Sequence, residues 1–352
     1  MKVTLENPVT HSENYPQDLK LTDLRKMVKA EHLNPPSPAN LIGFIIKLAL
    51  FAGSFYFSLI SPWWITVLML PLNGFLLFGL GTIGHDCGHG AYLRPRWLNE
   101  LVGQICIVLH GMPYMGWKHS HNTHHANTNR VELDPDRLWL YKDEYLAMPP
   151  LGRAVWRLFH RQAFWASAVG HYFRSILPWA FRIREKTDRP EDIRAAYIDI
   201  AIFFASWIAL HSALFPLFGF KSLIVHFLSI IFGFIALSVY VRTQHNNLAV
   251  GIDVHDKPWL TSRTVLQHPI LDFFATNLNY HVEHHVLQTI PHANLPKVRK
   301  LIKPVILNHG QPYHESPIGS YLATCFLAEF KVLERDTLHE IPAKLIEHEK
   351  VA

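Results

Sequence analysis

The sequence is poor in charged residues and in cysteine. Only 17% of its 352 residues are Asp, Glu, Lys or Arg, whereas 49% are hydrophobic. Soluble domains carry charge at about a quarter of their positions, so this chain is short of side chains that water solvates well. Cys87, Cys106 and Cys325 are odd in number and widely spaced, and a disulfide framework is therefore not expected. The shortage of charge predicts that lipid replaces water over much of the surface.

The sequence also lacks the motifs that identify several common classes of protein. It contains neither the H-E-x-x-H signature of zinc hydrolases nor the E-x-x-H spacing of soluble di-iron carboxylate proteins. No zinc-finger spacing or Lys/Arg block accompanies its formal charge of +5, so the charge indicates anionic lipid or an acidic partner protein and not nucleic acid. The first 40 residues contain no apolar h-region, and a cleavable signal peptide is not expected.

Four long apolar runs take the place of the missing charge. Each has about the 20 residues that a helix needs to cross a hydrocarbon core, which disfavours the alternative of buried helices in a soluble protein. Ser61 and Pro62 suit a tight turn between the first two runs, and Gly219 separates the last two, so we predict two transmembrane hairpins. The runs are residues 40–60, 61–83, 196–218 and 220–242.

Two hairpins return the chain each time to the side of the membrane on which it started. The segments outside the hairpins are rich in Lys and Arg, whereas the turns within them carry little more than Lys221. The positive-inside rule therefore predicts that these segments and both termini are cytoplasmic. The predicted parts of one catalytic domain are a cytoplasmic N-terminal segment (1–39), transmembrane hairpin 1 (40–83), a cytoplasmic and interfacial region (84–195), transmembrane hairpin 2 (196–242) and a cytoplasmic C-terminal region (243–352).

The predicted fold class is an all-α integral membrane protein. Its four transmembrane helices form two hairpins, and a cytoplasmic helical cap and interfacial helices complete it. Residues 100–116 are apolar but short and interrupted by Gly and Pro, and residues 155–183 mix Trp, Phe and Arg. Both segments are therefore predicted to lie in the membrane interface.

Histidine is abundant, with 24 residues, and much of it lies in three clusters with regular spacing. Residues at i, i+3 and i+4 share one face of a helix, so each cluster presents its imidazoles in one direction. Neutral imidazole is a ligand for Zn, Cu, Fe and Ni, and eight ligands are twice what one tetrahedral zinc site needs. The clusters therefore predict two metal ions with open coordination positions. Their members are His85 and His89, then His121, His124 and His125, then His281, His284 and His285.

A dinuclear site of nearly all nitrogen ligands at a membrane surface suits iron that activates O₂. The boxes HDCGH, HNTHH and HVEHH, in this order around two hairpins, resemble those of the membrane fatty acid desaturase family. The resemblance covers roughly residues 40–300, and the strings GHDCGHGAYLRPRWLNELVG and WKHSHNTHHANTNRVELDPD are most similar to acyl-lipid desaturases of the Δ12/ω type. It implies a non-haem di-iron centre, O₂ as co-substrate, a fatty acyl substrate on a lipid, CoA or carrier protein, and electrons from ferredoxin or a cytochrome b5-type donor.

The resemblance also implies roles for individual residues. The eight box histidines match the family's metal ligands, and His245 occupies the position after the fourth span where the family tends to have another. Asp86, Glu283, Asn129, Glu132, Asp134, Asn277 and Asn279 are candidates for orienting ligating imidazoles, with helix capping or solvation as the alternative. His119 is expected to support a ligand without binding metal or to be structural, and His110, His211 and His226 to be packing residues.

Three further points stay open from the sequence. The chain has no His-Pro-Gly-Gly motif, so the electron donor is expected to be a separate protein, and a basic cytoplasmic face would suit an acidic one such as ferredoxin. A related membrane hydroxylase or ketolase, acting on fatty acids, carotenoids, alkanes or sphingolipids, would use the same kind of site. A histidine-rich metal transporter is the third alternative, disfavoured because the clusters lie at the ends of spans and not at their centres.

Overall fold

Nearly all the regular structure of the described residues is helical. The computed structural model describes residues 19–130, 133–136, 141–161, 173, 181, 182, 184, 187–245, 248, 249 and 256–320. Glu132, Cys325 and most of segment 155–183 lie outside these residues. The helices are α1 (Leu21–Met27), α2 (Ser37–Ile60), α3 (Trp63–Gly88), α4 (Arg96–Leu109), α5 (Tyr114–Ala126), α6 (Lys142–Ala147), α7 (Pro150–Arg161), α8 (Pro190–Phe218), α9 (Phe220–His245), α10 (Pro258–Thr261), α11 (Pro269–Phe274), α12 (His281–Val286) and α13 (Leu295–Asn308).

Four of these helices, α2, α3, α8 and α9, are long and apolar enough to cross a membrane, as the sequence predicts. Helices α3 and α9 continue beyond the predicted spans, to Gly88 and His245. A helix continues as long as each N–H finds the carbonyl four residues back, whatever the polarity of its side chains, and hydropathy therefore underestimates both lengths. As a result, His85 and His245 lie in the last turns of two membrane-length helices.

The segment predicted to form an interfacial helix, residues 100–116, is divided between two helices. Helix α4 ends at Leu109 and α5 begins at Tyr114. Gly111 has a φ of +77°, a left-handed conformation that glycine adopts readily, and Pro113 precedes the new helix. Helix α4 packs against α3, and this turn allows the chain to enter α5, which carries the second histidine cluster.

Helix α3 lies at the centre of the membrane-length helices and packs against α2, α4 and α9. It approaches α9 closely at Gly74, where a Cβ would lie 2.3 Å from the Cβ of Phe232, 2.6 Å from its carbonyl carbon and 2.7 Å from the backbone nitrogen of Gly233. Small residues permit such backbone contact between membrane helices. The position of α9, and with it His245, therefore depends on the missing side chain at position 74.

A second hydrophobic core lies beside the membrane-length helices. Helices α1, α12 and α13 pack on one another, and they bury Leu24, Val282 and Val298 completely. Two short parallel strands, β1 (Thr264–Leu266) and β2 (Glu315–Pro317), pair with Thr264 opposite Glu315. Helix α12, which carries the third histidine cluster, is buried along its whole length in this layer.

A buried lysine joins α2 to the segment that leads into the third cluster. Lys47 Nζ donates hydrogen bonds to Phe274 O at 3.1 Å and to Thr276 Oγ1 at 2.7 Å. Thr276 and Asn277 have φ values of +50° and +51°, which are costly for residues with a Cβ and persist only where surrounding contacts hold them. Thr82 Oγ1 on α3 lies 2.7 Å from Thr276 Oγ1. The network fixes the turn that precedes α12.

Candidate metal centre

The structure brings the nine predicted imidazoles together in two adjacent groups. In each group, one ring nitrogen per residue lies within 4.8 Å of the corresponding atoms of the others. His281 joins the second group through its Nε2, which is 2.7 Å from His245 Nε2 and 3.1 Å from His285 Nε2. The first group is His85, His89, His121, His125 and His284, and the second is His124, His245 and His285.

Four separate parts of the chain supply these side chains. The end of α3 supplies His85 and His89, α5 supplies the second cluster, α9 ends on His245, and α12 supplies the third cluster. The i, i+3, i+4 spacing places the imidazoles of each helix on one side, and in α5 and α12 these sides face each other. The ring centroids of His125 and His285 are accordingly only 4.3 Å apart. His125 is 9% exposed and His284 only 2%. Polar rings buried to this extent need hydrogen-bond partners or a bound metal.

Hydrogen bonds to the outer ring nitrogens fix the tautomers of several imidazoles. His245 Nδ1 donates to Thr261 O at 2.9 Å, and His124 Nδ1 lies 2.8 Å from Asp134 Oδ1. Thr128 Oγ1 donates to His124 O and so accepts from His285 Nδ1 at 3.2 Å. A neutral imidazole carries one proton, so occupation of Nδ1 leaves a lone pair on Nε2. In His245 and His285 the lone pairs on Nε2 therefore point inward.

The inner nitrogens are so close together that their lone pairs would repel one another without a cation between them. His125 Nε2 is 2.9 Å from His121 Nε2 and 3.1 Å from His284 Nε2. Burial, reinforced by the neighbouring imidazoles, holds the pKa of His121, His125 and His284 well below its usual range, so protonation does not relieve the crowding at neutral pH. A metal cation bound between the neutral nitrogens would relieve this repulsion. The donor set therefore fits metals that accept imidazole, including iron.

His124 differs from the other imidazoles because it faces a carboxylate. Burial disfavours its charged form, but the Asp134 carboxylate outweighs burial and raises the pKa of His124 to about 9. Asp134 is itself held by the backbone N–H groups of Asn129 and Asp136, at 2.8 and 2.9 Å. Metal ligands must be deprotonated at the binding nitrogen. Asp134 keeps a proton on Nδ1, so a metal that binds His124 must displace the second proton, which is on Nε2.

The predicted orienting residues divide into two sets. Asp86 contacts His85 Nδ1 at 3.2 Å and Asp134 contacts His124, as expected for residues that orient ligands. Glu283 instead accepts hydrogen bonds from Tyr313 and Thr264. The Asn side chains bond to backbone carbonyls: Asn129 to Ala249 O, Asn277 to His292 O and Asn279 to Val265 O.

Sequence reasoning missed several contacts of the site. Thr261 contributes a backbone carbonyl, for which no side-chain pattern exists. His292 Nδ1 lies 3.2 Å from Asp86 Oδ2, and its single occurrence outside a cluster carried no signal. Trp117 stacks on His121 with ring centroids 5.1 Å apart and an interplanar angle of 9°. Its i, i+4 spacing from His121 would have predicted that contact.

The other histidines that the structure describes lie outside both groups. His119 belongs to neither group, although it shares α5 with His121. His226 Nε2 donates to Leu109 O at 2.9 Å, and His211 Nε2 lies 3.1 Å from His226 Nδ1. These contacts stabilise the junction between α4, α8 and α9.

An apolar cavity adjoins the imidazoles. One wall contains His85, His121 and His124, together with two members of the second group. The rest of the lining is mostly hydrophobic and comes mainly from α3, α4, α5, α9 and the segments that follow α4 and precede α12. Its apolar members include Phe78, Ile107, Met112, Phe234, Leu237, Val241 and Leu278. A flexible hydrocarbon chain matches such a lining, and few polar groups compete for it.

Comparison with known proteins agrees with this geometry. A family model described as "Fatty acid desaturase" matches residues 61–317. The chain is 26% identical over 290 residues to the sn-1 oleoyl-lipid 12-desaturase of Anabaena variabilis, covering 79% of this chain and 80% of that protein. It is 25% identical over 341 residues to the sn-1 acyl-lipid omega-3 desaturase (ferredoxin) of Nostoc sp. (strain 36), covering 89% of each.

A plant relative extends the comparison. The chain is 28% identical over 313 residues to the omega-6 fatty acid desaturase, endoplasmic reticulum, of Brassica juncea, covering 79% of this chain and 77% of that protein. The segment matched by the family model contains all nine clustered imidazoles and most of the membrane-length helices. The chain, which these helices make an integral membrane protein, belongs to the fatty acid desaturase family.

Proposed function

We propose that this protein is an O₂-dependent acyl desaturase that introduces a cis double bond into a fatty acyl chain at a non-haem di-iron centre. The observation that carries the proposal is the convergence of nine imidazoles on two adjacent points beside an apolar cavity. Family membership identifies the chemistry as desaturation and supports iron as the metal. Neutral nitrogen ligands are compatible with that metal.

Each imidazole group would hold one iron ion. The five-residue group presents His85, His89, His121, His125 and His284, and the four-residue group presents His124, His245, His281 and His285. Asp86, Asp134, Thr128 and the Thr261 carbonyl keep the rings oriented through their Nδ1 atoms. When bound, the iron pair and O₂ supply an oxidant strong enough to remove hydrogen from unactivated methylene groups.

The cavity would fix which part of the acyl chain reacts. Its hydrophobic lining binds methylene groups, and its imidazole wall lies next to them. Holding a reacting carbon next to the catalytic group lowers the entropic part of the barrier. The apolar lining also keeps water from the reaction. The double-bond position would then follow from how far the chain enters the cavity.

We further propose a membrane arrangement for these parts. Helices α2 and α3 would form one transmembrane hairpin and α8 and α9 the other, with the histidine clusters and both termini on the cytoplasmic side. The excess of Lys and Arg outside the hairpins supports this orientation. The segments 1–39, 84–195 and 243–352 would then form a cytoplasmic cap, in a single catalytic domain with the hairpins.

The acyl chain would be carried on a lipid and the electrons supplied by a ferredoxin-type protein. The names of the Anabaena and Nostoc relatives include an acyl-lipid substrate, and that of the Nostoc relative includes ferredoxin. The net positive charge of the chain supports an acidic donor. A CoA- or carrier-linked substrate and a cytochrome b5-type donor are the alternatives.

Expression in a host with a known fatty acid profile tests the function. We expect new cis-unsaturated acyl chains by mass spectrometry, and about two iron ions per purified chain by elemental analysis, as a dinuclear site requires. The control is the same host with an empty vector. An oxygenated product would identify a hydroxylase or ketolase instead, and an unchanged lipid profile despite an iron-loaded protein would contradict the proposal.

Replacing Asp134 with asparagine is expected to weaken metal binding while the fold is retained. The substitution removes the charge that faces His124 and places an amide N–H near the backbone donors of Asn129 and Asp136. Loss of such a partner costs about 10–100-fold in metal affinity or activity. Iron retention against graded chelator concentrations measures it. Asp192→Asn, at the start of α8, is the control, and equal retention by the two variants would contradict this role.

A further inference from the structure

An exposed basic surface covers the third histidine cluster from outside. Helices α1 and α13 pack on each other and on α12, and we call their outer face the α1–α13 basic surface. Hydrophobic contacts among the three helices hold this face in place. Its exposed cationic residues are Lys20, Arg25, Lys26, Lys29, Lys297 and Lys300.

Within the part of the chain that the structure describes, few carboxylates offset the positive charge of this surface. Residues 295–308 contain no Asp or Glu, and residues 19–34 contain only Asp23 and Glu31. Asp23 forms an exposed ion pair with Lys26 at 3.2 Å. The nearby carboxylate of Glu315 is already engaged by two other cations of α13, Arg299 and Lys303. The surface therefore attracts negative charge.

Hydrogen bonds connect the surface to the helix that carries the third cluster and join the two parts of the surface to each other. Arg25 Nε donates to Val286 O at 2.7 Å, and Val286 is the last residue of α12 and follows His285 directly. Asn294 Nδ2 donates to His32 O at 3.0 Å, which joins the segment after α1 to the start of α13. A protein bound to this surface would thus rest on helices that pack directly on α12, which carries the third cluster.

The proposed reaction needs electrons from outside the chain. Forming one double bond removes two hydrogen atoms, and with them two electrons, from the acyl chain. Reducing one O₂ to two water molecules takes four electrons and four protons. A donor must therefore deliver two electrons, and two protons come from solvent.

We propose that the α1–α13 basic surface is the docking site of the electron donor, an acidic iron–sulfur protein of the ferredoxin type. This inference rests on the proposed desaturase function. Complementary charge steers such an encounter and orients the partner, and the short route through α12 favours this surface for electron delivery. Anionic lipid headgroups would bind the same cations, but binding there would not require contact with the third cluster.

The test is charge reversal in the full-length protein, Lys297→Glu with Lys300→Glu. In nanodiscs of neutral phosphatidylcholine at low salt, we expect the Kd for plant-type [2Fe–2S] ferredoxin and the KM for ferredoxin to rise about tenfold or more. The rate at saturating ferredoxin should be unchanged, as should the product formed when protein reduced with dithionite, and freed of the excess, is exposed to O₂. The difference between wild type and variant should shrink as salt rises, since salt screens exposed charges.

The matched control is Arg189→Glu with Arg194→Glu, which makes the same charge change at the start of α8. It should leave the Kd and KM for ferredoxin unchanged. An equal loss in both double variants, an unchanged Kd in the α13 variant, or wild-type protein that does not bind ferredoxin at low salt would overturn the docking proposal. If the α13 variant differed from wild type only by a lower stability in discs that contain phosphatidylglycerol, the surface would be assigned to lipid binding. Absence of dithionite-driven desaturation from wild type would instead count against the proposed function.

Discussion

Replacing His284 with alanine is expected to remove both desaturation and most of the bound iron. His284 contributes one of five imidazoles in its group, and its Nε2 lies 3.1 Å from that of His125. Its loss would leave an iron ion with fewer ligands. Because the side chain is only 2% exposed, the loss would also leave a buried space where the ring was. Product formation should fall below detection in the expression host, with the iron content measured on the same purified sample.

The control for this experiment lies beside the second cluster on the same helix. His119 is two residues from His121 on α5 but belongs to neither imidazole group, so His119→Ala should retain iron and most of the activity. It removes the same side chain from the same kind of sequence context. A His284→Ala protein with full activity and no iron would refute the di-iron proposal, and a His119→Ala protein without iron would show that the grouping is incomplete.

Replacing Gly74 with alanine is expected to cause a large loss of stability far from the imidazoles. The new Cβ would lie 2.6 Å from the carbonyl carbon of Phe232 and 2.7 Å from the backbone nitrogen of Gly233. These are backbone atoms, so relief requires α9 to move away from α3. Overpacking of this kind costs about 1–3 kcal/mol or more. Recovery of monodisperse protein by size-exclusion chromatography after heating measures the effect.

Gly53→Ala provides a matched control on the neighbouring α2. A Cβ at position 53 has no atom within 4 Å, and alanine favours a helix by about 1 kcal/mol over glycine. This variant should be as stable as the wild type or slightly more stable. Equal heat resistance of the Gly74 and Gly53 variants would show that the approach of α3 to α9 is not a tight contact.

The sequence predicts those features that depend on local pattern. Apolar runs long enough for a bilayer predict the four membrane-length helices, and the i, i+3, i+4 spacing predicts which imidazoles share a helix face. Even His245, which lies outside the boxes, is predicted from its place after a span by family resemblance. In the structure its Nε2 lies 2.7 Å from that of His281.

Features that depend on contacts distant in sequence are not predictable in this way. Arg25 bonds to Val286 across 261 residues, and nothing in the pattern of α1 indicates that it packs on α12. Glu283 lies within a histidine box, yet its carboxylate bonds to Tyr313 and Thr264, because residues at i+2 of a helix point away from the i, i+3, i+4 face. The helix ends at Gly88 and His245 also exceed the apolar runs, since hydropathy does not determine where a helix stops.

The buried lysine of α2 has a consequence for the order in which the protein is assembled. Lys47 is synthesised 227 residues before Phe274 and 229 before Thr276, whose oxygens accept its hydrogen bonds. A lysine near the centre of a membrane helix costs about 2.5–3.5 kcal/mol on insertion. We therefore expect the insertion of α2 into the bilayer to carry this free-energy cost until the acceptors of Lys47 have been synthesised, when most of the chain is complete. Final placement of the first span and closure of the third histidine cluster would then occur in one step.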